Sequence, residues 1–577
     1  MSRISASAIL IAAIHFVGVV RVCPAEDVSP VVEEVPPAPL VVVHVSALDN
    51  VLQRIQENLR QIERDDVSDA FQERLENRVG GLKGMDRSQP FGIALFLPEA
   101  LPPRPVPVVY APVTNFDELI KTLELGPVTV KRQESENDDE SRFTLTMQRG
   151  GTREIVVRDG YAFLSRNESF LEGDVASLAR LAPRLADEYD IAAAVDITAI
   201  SPLVRDVFLG MLRNQSQVEL QRLDDEPLPQ YIVRKANGLS TLELIENVLR
   251  DGETLTLGLS LREDSANTVI ELNVDAAADS EFARYLTDLA SHPSRYSSLV
   301  NDREPLTFSA SWKMSPREQR LGREWISSLA HGMTDRLRPA AADAGTPNTD
   351  AEFVPDPAVR SVVDALNATV DAGDFDFFAQ FRELGAGRFG LIGALQVVGG
   401  ETLAGGMREL LVALQARGAE LDVTQDVAEH RGIAVHRVRG IEQRDEDRRI
   451  YGEDSALYVG SSSQTLWFAI GSSRILLELE AAIDRLADAT GEPARRQAPI
   501  QLVLQASPWL ELSPRDDEED TIRRRELSDE AFSSDNDGLK LEVRPTESGA
   551  RVRVELEPGF ARFLTLLIAE RYDRSRL

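Results

Sequence analysis

The order of predicted elements in residues 40–297 recurs in residues 305–577, and this internal repeat constrains the fold more than any other feature. A short run of residues recurs with it. Phe282-Ala283-Arg284-Tyr285-Leu286 closes the first half, and Phe560-Ala561-Arg562-Phe563-Leu564 closes the second. Repeats of short fixed period indicate solenoids or propellers, whereas two long units indicate tandem domains. Two unrelated α+β domains would also alternate helices and strands, but the shared run argues against this alternative.

Further pairs of segments follow the same order in the two halves. Each pair marks a predicted strand beside a predicted helix. The spacing between partners varies, which indicates that loops have been gained or lost. The pairs are Pro39 to Val45 with Pro305 to Ser311, Val106 to Val113 with Phe389 to Val397, Tyr161 to Leu164 with Leu466 to Ala469, and Ala194 to Pro202 with Leu502 to Pro508.

Alternation of apolar and polar residues predicts an antiparallel hairpin near the end of each half. In the second half, apolar residues alternate with charged residues from Leu539 to Arg544 and from Val552 to Leu556, across a turn at Pro545 to Gly549. The first half has a similar hairpin from Leu255 to Val274. Antiparallel sheets commonly have one buried and one wet face, so we expect the apolar side of each hairpin to face a core.

Long amphipathic helices are predicted over residues 48–62, 475–486 and 560–572, where apolar residues recur at helical spacing. Ser472-Ser473 is the expected N-cap of the second of these helices. Helices that cover one face of an antiparallel sheet define the α+β class. The predicted fold is therefore α+β, with two tandem related domains, each an antiparallel or mixed sheet covered by long amphipathic helices.

The 577 residues are too many for one hydrophobic core and suit two domains. Two stretches rich in proline, small residues or charge are expected to be insertions of low order in the second domain. The predicted order is a signal peptide (1–25), a Pro/Glu-rich tether (26–39), a first α+β domain (40–297) and a second α+β domain (298–577) with insertions at about 339–357 and 513–537.

The first 25 residues are expected to be a secretory signal peptide. Arg3 gives a positive start, Ile4 to Val20 is apolar, and Cys23-Pro24-Ala25 ends the segment. An uncleaved anchor helix and a lipoprotein signal are the alternatives. However, Arg21 interrupts the run before the roughly 20 residues of a usual span, and Val22 is a poor residue before a lipoprotein cysteine. We therefore expect an exported protein, periplasmic or extracellular, with no membrane span after signal cleavage.

Cysteine use and charge narrow the possible partners. Cys23 is the only cysteine, so a cleaved chain has no disulfide, which favours a bacterial envelope. The chain has 63 basic and 95 acidic residues, a formal net charge of −32 at pH 7. This charge repels nucleic acid and anionic lipid surfaces, so we predict no nucleic-acid partner. Acidic runs such as Glu134 to Glu140 are expected to be solvated loops, with loose calcium binding as the alternative.

No catalytic, cofactor-binding or metal-ligating residue is predicted in this sequence. Gly385 to Gly390 matches the letters of a dinucleotide-binding fingerprint, but a strand follows it where that chemistry needs a helix, so we expect turn glycines. Gly399-Gly400 opens a helix, and no lysine follows at the spacing of a phosphate-binding loop. We therefore expect no cofactor.

Histidine and serine patterns also lack a reactive arrangement. His430 and His436 are separated by an expected turn at Gly432, which is unfavourable for a shared metal. Ser201-Pro202 and Ser507-Pro508 are expected to lead from strands into helices, and no Gly-x-Ser-x-Gly nucleophile elbow occurs. Paired carboxylates for glycoside hydrolysis stay open among so many acidic residues.

Two segments carry a family resemblance. Asp159-Gly160-Tyr161-Ala162-Phe163-Leu164-Ser165 and Ala469-Ile470-Gly471-Ser472-Ser473, each followed by a predicted helix, resemble a unit of a group of exported bacterial proteins of unassigned function, familiar from planctomycetes. Members share a signal peptide, a strand near the mature start that leads into a helix, and this strand–serine–helix unit. The resemblance implies an envelope location, no catalytic residue and no known enzyme.

Three functions are compatible with these patterns. The first is a non-enzymatic binding or scaffolding protein of the envelope, whose partner is an envelope protein or a small ligand. The second is an envelope hydrolase with an unrecognised carboxylate site. The third is a transport accessory or chaperone-like protein that uses the cleft between the halves. We favour the first because the chain shows no reactive pattern. An exposed apolar patch or groove would indicate binding, whereas a polar pocket with perturbed acidities would indicate an enzyme.

Overall fold

The computed structural model covers most of the chain beyond the predicted tether. The predicted signal peptide and the tether up to residue 37 lie outside the described residues. The structure describes residues 38–79, 82–98, 105–124, 128–133, 141–147, 151–172, 185, 187–223, 226–261, 267–289, 292, 294–337, 354–385, 387–416, 421–440, 443–489, 498–512, 519–533 and 535–576.

The twenty strands of the described residues belong to one sheet. The first ten are β1 Val41–Val45, β2 Phe91–Phe96, β3 Val106–Pro112, β4 Val128–Arg132, β5 Ser141–Met147, β6 Gly151–Arg158, β7 Tyr161–Ser165, β8 Ile191–Asp196, β9 Gly252–Ser260 and β10 Thr268–Ala276. The last ten are β11 Leu306–Lys313, β12 Asp374–Gly385, β13 Arg388–Gln396, β14 Leu421–His430, β15 Ile433–Gly440, β16 Ala456–Ser461, β17 Thr465–Gly471, β18 Ile500–Gln505, β19 Gly538–Pro545 and β20 Gly549–Leu556.

Helices connect the strands. In the first half these are α1 Leu48–Gln61, α2 Asp65–Val79, α3 Phe116–Leu123, α4 Ser169–Glu172, α5 Pro202–Glu219, α6 Leu228–Asp251 and α7 Glu281–Asp288. In the second half they are α8 Pro316–Leu337, α9 Pro357–Ala372, α10 Gly400–Ala416, α11 Asp445–Tyr451, α12 Ile475–Asp488, α13 Ala506–Leu512, α14 Glu519–Ala531 and α15 Pro558–Arg576. Short 3-10 turns cover Ile197–Ala199 and Ser297–Leu299. The α+β class is confirmed.

The described strand pairs are all antiparallel, and they place the strands of the two halves in the same order. From its outer edge inward, the first half runs β4-β5-β6-β7-β3-β2-β1-β8-β9-β10. The second half runs β14-β15-β16-β17-β13-β12-β11-β18-β19-β20. This shared order supports the proposed duplication, which itself stays a prediction.

The halves join edge to edge. β10 pairs with β20 from Thr268↔Leu556 to Asp275↔Gly549, so the sheet continues from one half into the other. Helices also cross between the halves, because α6 packs on α8 and α15 packs on α1. In the described residues the halves therefore meet in a continuous sheet, which weighs against a ligand cleft between them.

Each half has its own core on the face of the sheet that α4 and α12 cover. In the second half, Ile475 and Ile483 of α12 pack on Phe378, Ala394 and Trp467. In the first half, Phe170 and Leu171 of α4 pack with Tyr110 and Phe163. The side chain of Trp467 in this core is almost fully buried.

Several predicted details differ from the structure. Residues 519–531 were expected to have low order, but they form α14. This helix is held in place because its Leu527 and Ala531 pack in a core with α15. The N-cap of α12 is Arg474, and neither Ser472 nor Ser473 caps it with a side chain. The predicted boundary at residue 297 falls inside a 3-10 turn, and Tyr296 already lies in the core of the second half.

Candidate functional site

Two rows of side chains cross the middle of the sheet on the face away from α4 and α12. Directly paired residues of antiparallel strands point to the same side, so the register identifies each row. The first row is Val109, Ile93, Val43, Ala193, Leu257, Leu272, Val552, Val543, Ile500, Ala310 and Phe377. The second row is Phe91, Val45, Ile191, Leu259, Ile270, Val554, Leu541, Leu502, Phe308 and Ala379. We call these two rows the apolar face.

Every side chain of the apolar face is apolar, yet only Ala310 is fully buried. Val109 is 38% exposed and Leu272 is 37% exposed, and the remaining members are half-buried. The first row spans eleven strands, which is roughly 50 Å at the usual strand spacing. Soluble proteins rarely leave such a large contiguous apolar surface uncovered unless it binds something.

The apolar side of the two predicted hairpins faces a core at one end. The alternation itself is confirmed, since Leu541 and Val554 share one face while Glu542 and Arg553 share the other. At that end, Phe282 of α7 packs with Val274, Val543 and other members of a small core, as expected. Towards the middle of the strands, the apolar side chains stay partly exposed.

Aromatic side chains line the part of the apolar face that lies in the second half. The ring centroid of Phe377 lies 6.0 Å from that of Phe308 and 6.2 Å from that of Phe468. The Phe468 ring lies over Gly393, where an added Cβ would come within 2.1 Å of the ring. Glycine at this position therefore lets the aromatic side chain lie flat along the sheet.

The opposite face carries the polar groups of the central strands. Glu271 on β10 is buried, accepts a 2.9 Å hydrogen bond from the Tyr189 hydroxyl and pairs with Arg553 on β20 at 2.7 Å. Burial raises the pKa of Tyr189 to about 12, and the hydrogen bond to Glu271 adds to this shift. These bonds hold β10 to β20, so this polar cluster has a structural role where the halves join.

Two buried polar side chains in the first half lack hydrogen-bond partners within the described part of the chain. His44 on β1 and Tyr110 on β3 flank Gly92 on β2, and both are fully buried. Neither His44 ring nitrogen nor the Tyr110 hydroxyl has a partner. Burial therefore lowers the pKa of His44 to about 4, which keeps the ring neutral at neutral pH. A bridging water would satisfy such groups.

Asp376 is a buried ionisable group in the second half. It accepts hydrogen bonds from the Ser294 hydroxyl and the Arg295 backbone amide, both at 2.7 Å. Burial raises the pKa of Asp376 to about 6. Because its oxygens are already bonded to the chain, Asp376 anchors the segment that enters the second core and offers no free group for catalysis.

The structure places the glycine motifs as the sequence predicts. Gly385 ends β12 and Gly387 precedes β13, both with positive φ, so they are turn glycines. Gly399 leads into α10, and the Gly400 amide donates to the Ser463 carbonyl at 3.1 Å. A Cβ on Gly400 would meet the Ser462 carbonyl at 1.8 Å, so backbone already fills the place of an anion.

The structure also places two of the histidines and one of the Ser-Pro pairs. Gly432 lies in a turn that separates His430 from His436. His430 contacts Asp484 at 2.9 Å. Among the described residues, no group of three or more histidine, cysteine or acidic side chains is arranged to hold a metal ion. Ser201 caps α5, which begins at Pro202, so this pair leads from a strand into a helix.

The fold and this surface define an α+β protein with a partly exposed apolar sheet face. None of the described helices is long and apolar enough to cross a membrane. Comparison with known proteins gives no family: no family model, curated protein or solved structure matches the chain. The apolar face could have been found from sequence only by knowing which strands pair, because its members come from eleven strands spread over the whole chain.

Proposed function

We propose that this chain is an exported, non-enzymatic binding protein of the bacterial envelope, of the planctomycete-type group that it resembles. It holds an apolar ligand, an acyl chain, on its apolar face. The observation that carries this proposal is the pair of rows that cross the sheet without one polar side chain, although nearly all of their members stay partly exposed. The apolar N-terminal segment supports export.

An acyl chain fits this surface better than a polar ligand. The backbone groups of the central strands are used in the sheet, so the apolar face offers no hydrogen-bond donor or acceptor. Binding must then come from apolar area removed from water, at about 25 cal/mol per Å². The transport-accessory hypothesis placed a ligand in a cleft between the halves. Because the halves join in one sheet, the form of this hypothesis that we propose is a protein that carries acyl chains on its apolar face.

The hydrolase hypothesis has less support. A hydrolase needs an ionisable group that reaches its substrate. The buried side chains of His44 and Asp376, whose pKa values are shifted as described above, lie on the face of the sheet that α4 and α12 cover. The residues that line the apolar face do not titrate. We therefore propose binding without chemistry.

The test is a fluorescence titration of the mature chain with cis-parinaric acid, a fatty acid whose emission rises in an apolar site. We expect saturable binding. Leu272→Lys should remove it, because a ligand on the face would have to bury an unpaired charge. Leu477→Lys is the matched control, since Leu477 is an exposed leucine on α12, away from the apolar face. Absence of saturable binding to the unaltered chain would refute the proposal.

A further inference from the structure

Exposed apolar side chains concentrate on the hairpin formed by α5 and α6. Of the 23 large apolar side chains that are well exposed in the described residues, ten lie within residues 202–251. On α5 they are 40–69% exposed, and four of them, separated by four or seven residues, follow one side of the helix. The α5 members are Leu203, Val207, Phe208, Met211 and Val218.

The hairpin gains little burial from the protein itself. α6 has 24 residues and none of them is fully buried, and α5 buries only Leu209. Most helices in proteins are stabilised by packing an apolar face. Two long helices with exposed apolar sides and almost no buried residue are therefore expected to be covered by something apolar.

The corresponding helices of the second half do not share this property. α13 and α14 also connect strand β18 to strand β19, as α5 and α6 connect β8 to β9. They are shorter, with 7 and 13 residues, and only Ile522 is a well-exposed large apolar side chain. Since the strand order is the same, the shared fold does not require the exposed apolar surface of the α5–α6 hairpin.

The charge of the hairpin helices differs from that of the chain. In α5, Arg205 and Arg213 balance Asp206 and Glu219, and α6 carries three basic and three acidic residues. The chain as a whole has a net charge of −32. The hairpin helices therefore form a neutral, apolar surface on an acidic protein. This combination suits a neutral or zwitterionic bilayer and disfavours an anionic one.

Side chains typical of membrane interfaces lie on α6 and on α8, which packs against α6. Trp325 on α8 is 51% exposed, and its indole donates to the Asn237 side chain of α6 at 3.3 Å. Tyr231 stacks under the Lys235 ammonium at 5.5 Å. Lys235 has no carboxylate partner in the described part of the chain. Tryptophan and tyrosine favour the headgroup level of bilayers, and a free lysine suits a headgroup phosphate.

The hairpin leads directly to the apolar face. α6 ends at Asp251 and β9 begins at Gly252. β9 then contributes Leu257 and Leu259 to the apolar face. Between α5 and α6 lies a cavity of about 440 Å³, whose lining includes Leu239 and Lys235. A bilayer that covers the hairpin would therefore lie next to the strand end from which an acyl chain could enter.

We propose that the α5–α6 hairpin docks on the surface of a zwitterionic phospholipid bilayer and brings the apolar face next to the lipid. The passage of an acyl chain to that face rests on the proposed function, whereas docking does not. The exposed stripe of α5 enters the interface, and Tyr231, Lys235 and Trp325 lie at the headgroup level. No spanning helix is needed for such an interfacial contact.

The test is flotation of the mature chain with phosphatidylcholine vesicles, with and without added phosphatidylglycerol. We expect binding to phosphatidylcholine, weakened by phosphatidylglycerol because the protein is acidic. Val207→Gln, Met211→Gln and Val218→Gln combined should lower the partition at least tenfold. Leu477→Gln and Ile568→Gln, which alter equally exposed apolar residues on α12 and α15, should leave it unchanged. Circular dichroism verifies that both variants fold.

Three outcomes would overturn the docking proposal. The first is no flotation with either vesicle. The second is equal loss of flotation in the control variant. The third is a concentration-dependent dimer in sedimentation without lipid that the hairpin variant abolishes, because a second copy would then be the occupant.

Failure of docking and failure of the proposed function are distinguishable. The hairpin variant should still bind cis-parinaric acid, and Leu272→Lys should still float with vesicles. Flotation without fatty-acid binding would leave docking in place and refute acyl binding on the apolar face. Fatty-acid binding without flotation would refute docking alone.

Discussion

Replacing two exposed members of the apolar face with threonine tests the role of this face. Val109 on β3 and Leu272 on β10 lie in the same row. Val109 is 38% exposed to solvent and Leu272 is 37% exposed. Full burial of such a side chain contributes about 1.5–3 kcal/mol. A ligand that covers the remaining third of each should therefore gain roughly 0.6–1.1 kcal/mol per residue.

For Val109→Thr combined with Leu272→Thr, we expect a loss of about 1.2–2.2 kcal/mol of binding free energy, which is roughly 8-fold to 40-fold in Kd. Threonine suits strands, but about two-thirds of each side chain is already buried, so the free energy of unfolding should fall by up to about 2 kcal/mol per residue. The assay is the cis-parinaric acid titration, with urea unfolding as the stability control. An unchanged Kd in a folded double variant would refute the reasoning, because the central rows would then not touch the ligand.

Further predictions concern stability. Trp467→Ala should lower the free energy of unfolding by about 3–5 kcal/mol in urea denaturation, since it empties the core under α12. Glu271→Ala should cost about 1–3 kcal/mol, because it leaves the Tyr189 hydroxyl and Arg553 without their acceptor. The two halves should unfold in one calorimetric transition, since β10 pairs with β20, and two separate transitions would contradict this. His44 is neutral in the folded chain, because its pKa is about 4 there against an ordinary value near 6.5. Its contribution to the free energy of unfolding is therefore complete above pH 6.5. This contribution falls by up to about 3 kcal/mol as the pH drops towards 4. His44→Leu should flatten that decline, and an unchanged acid profile would contradict the assignment.

Local patterns in the sequence were sufficient to predict many of the strands and helices, but they were insufficient to predict the partly exposed apolar face. The hairpins at Leu255 to Val274 and Leu539 to Leu556 follow from alternation, and α12 and α15 follow from helical spacing. Alternation says that two faces differ, but it does not say which face the helices cover. Here, Leu541 and Val554 stay partly exposed while Glu271 is buried. Burial depends on residues of other strands and helices, which local alternation does not reveal.

Long-range pairing was the other missing information. The edge pairing of β10 with β20, between residues 268 and 556, has no local signature in either strand. The same is true of α6 packing on α8 of the other half. Of the α5–α6 hairpin, the sequence indicated no more than a helix start at Ser201-Pro202, and only the structure shows that α6 leaves all 24 of its residues without full burial.

The position of a bound acyl chain tests the proposed binding function most directly. Photo-crosslinking with a diazirine-bearing fatty acid, mapped to single residues by mass spectrometry, measures this position. We predict labels on Leu257, Leu272 and Val554 of the apolar face, reduced by excess unlabelled fatty acid. Labels confined to the opposite face, at Glu271 or Arg553, or labels that excess fatty acid does not reduce, would contradict the account.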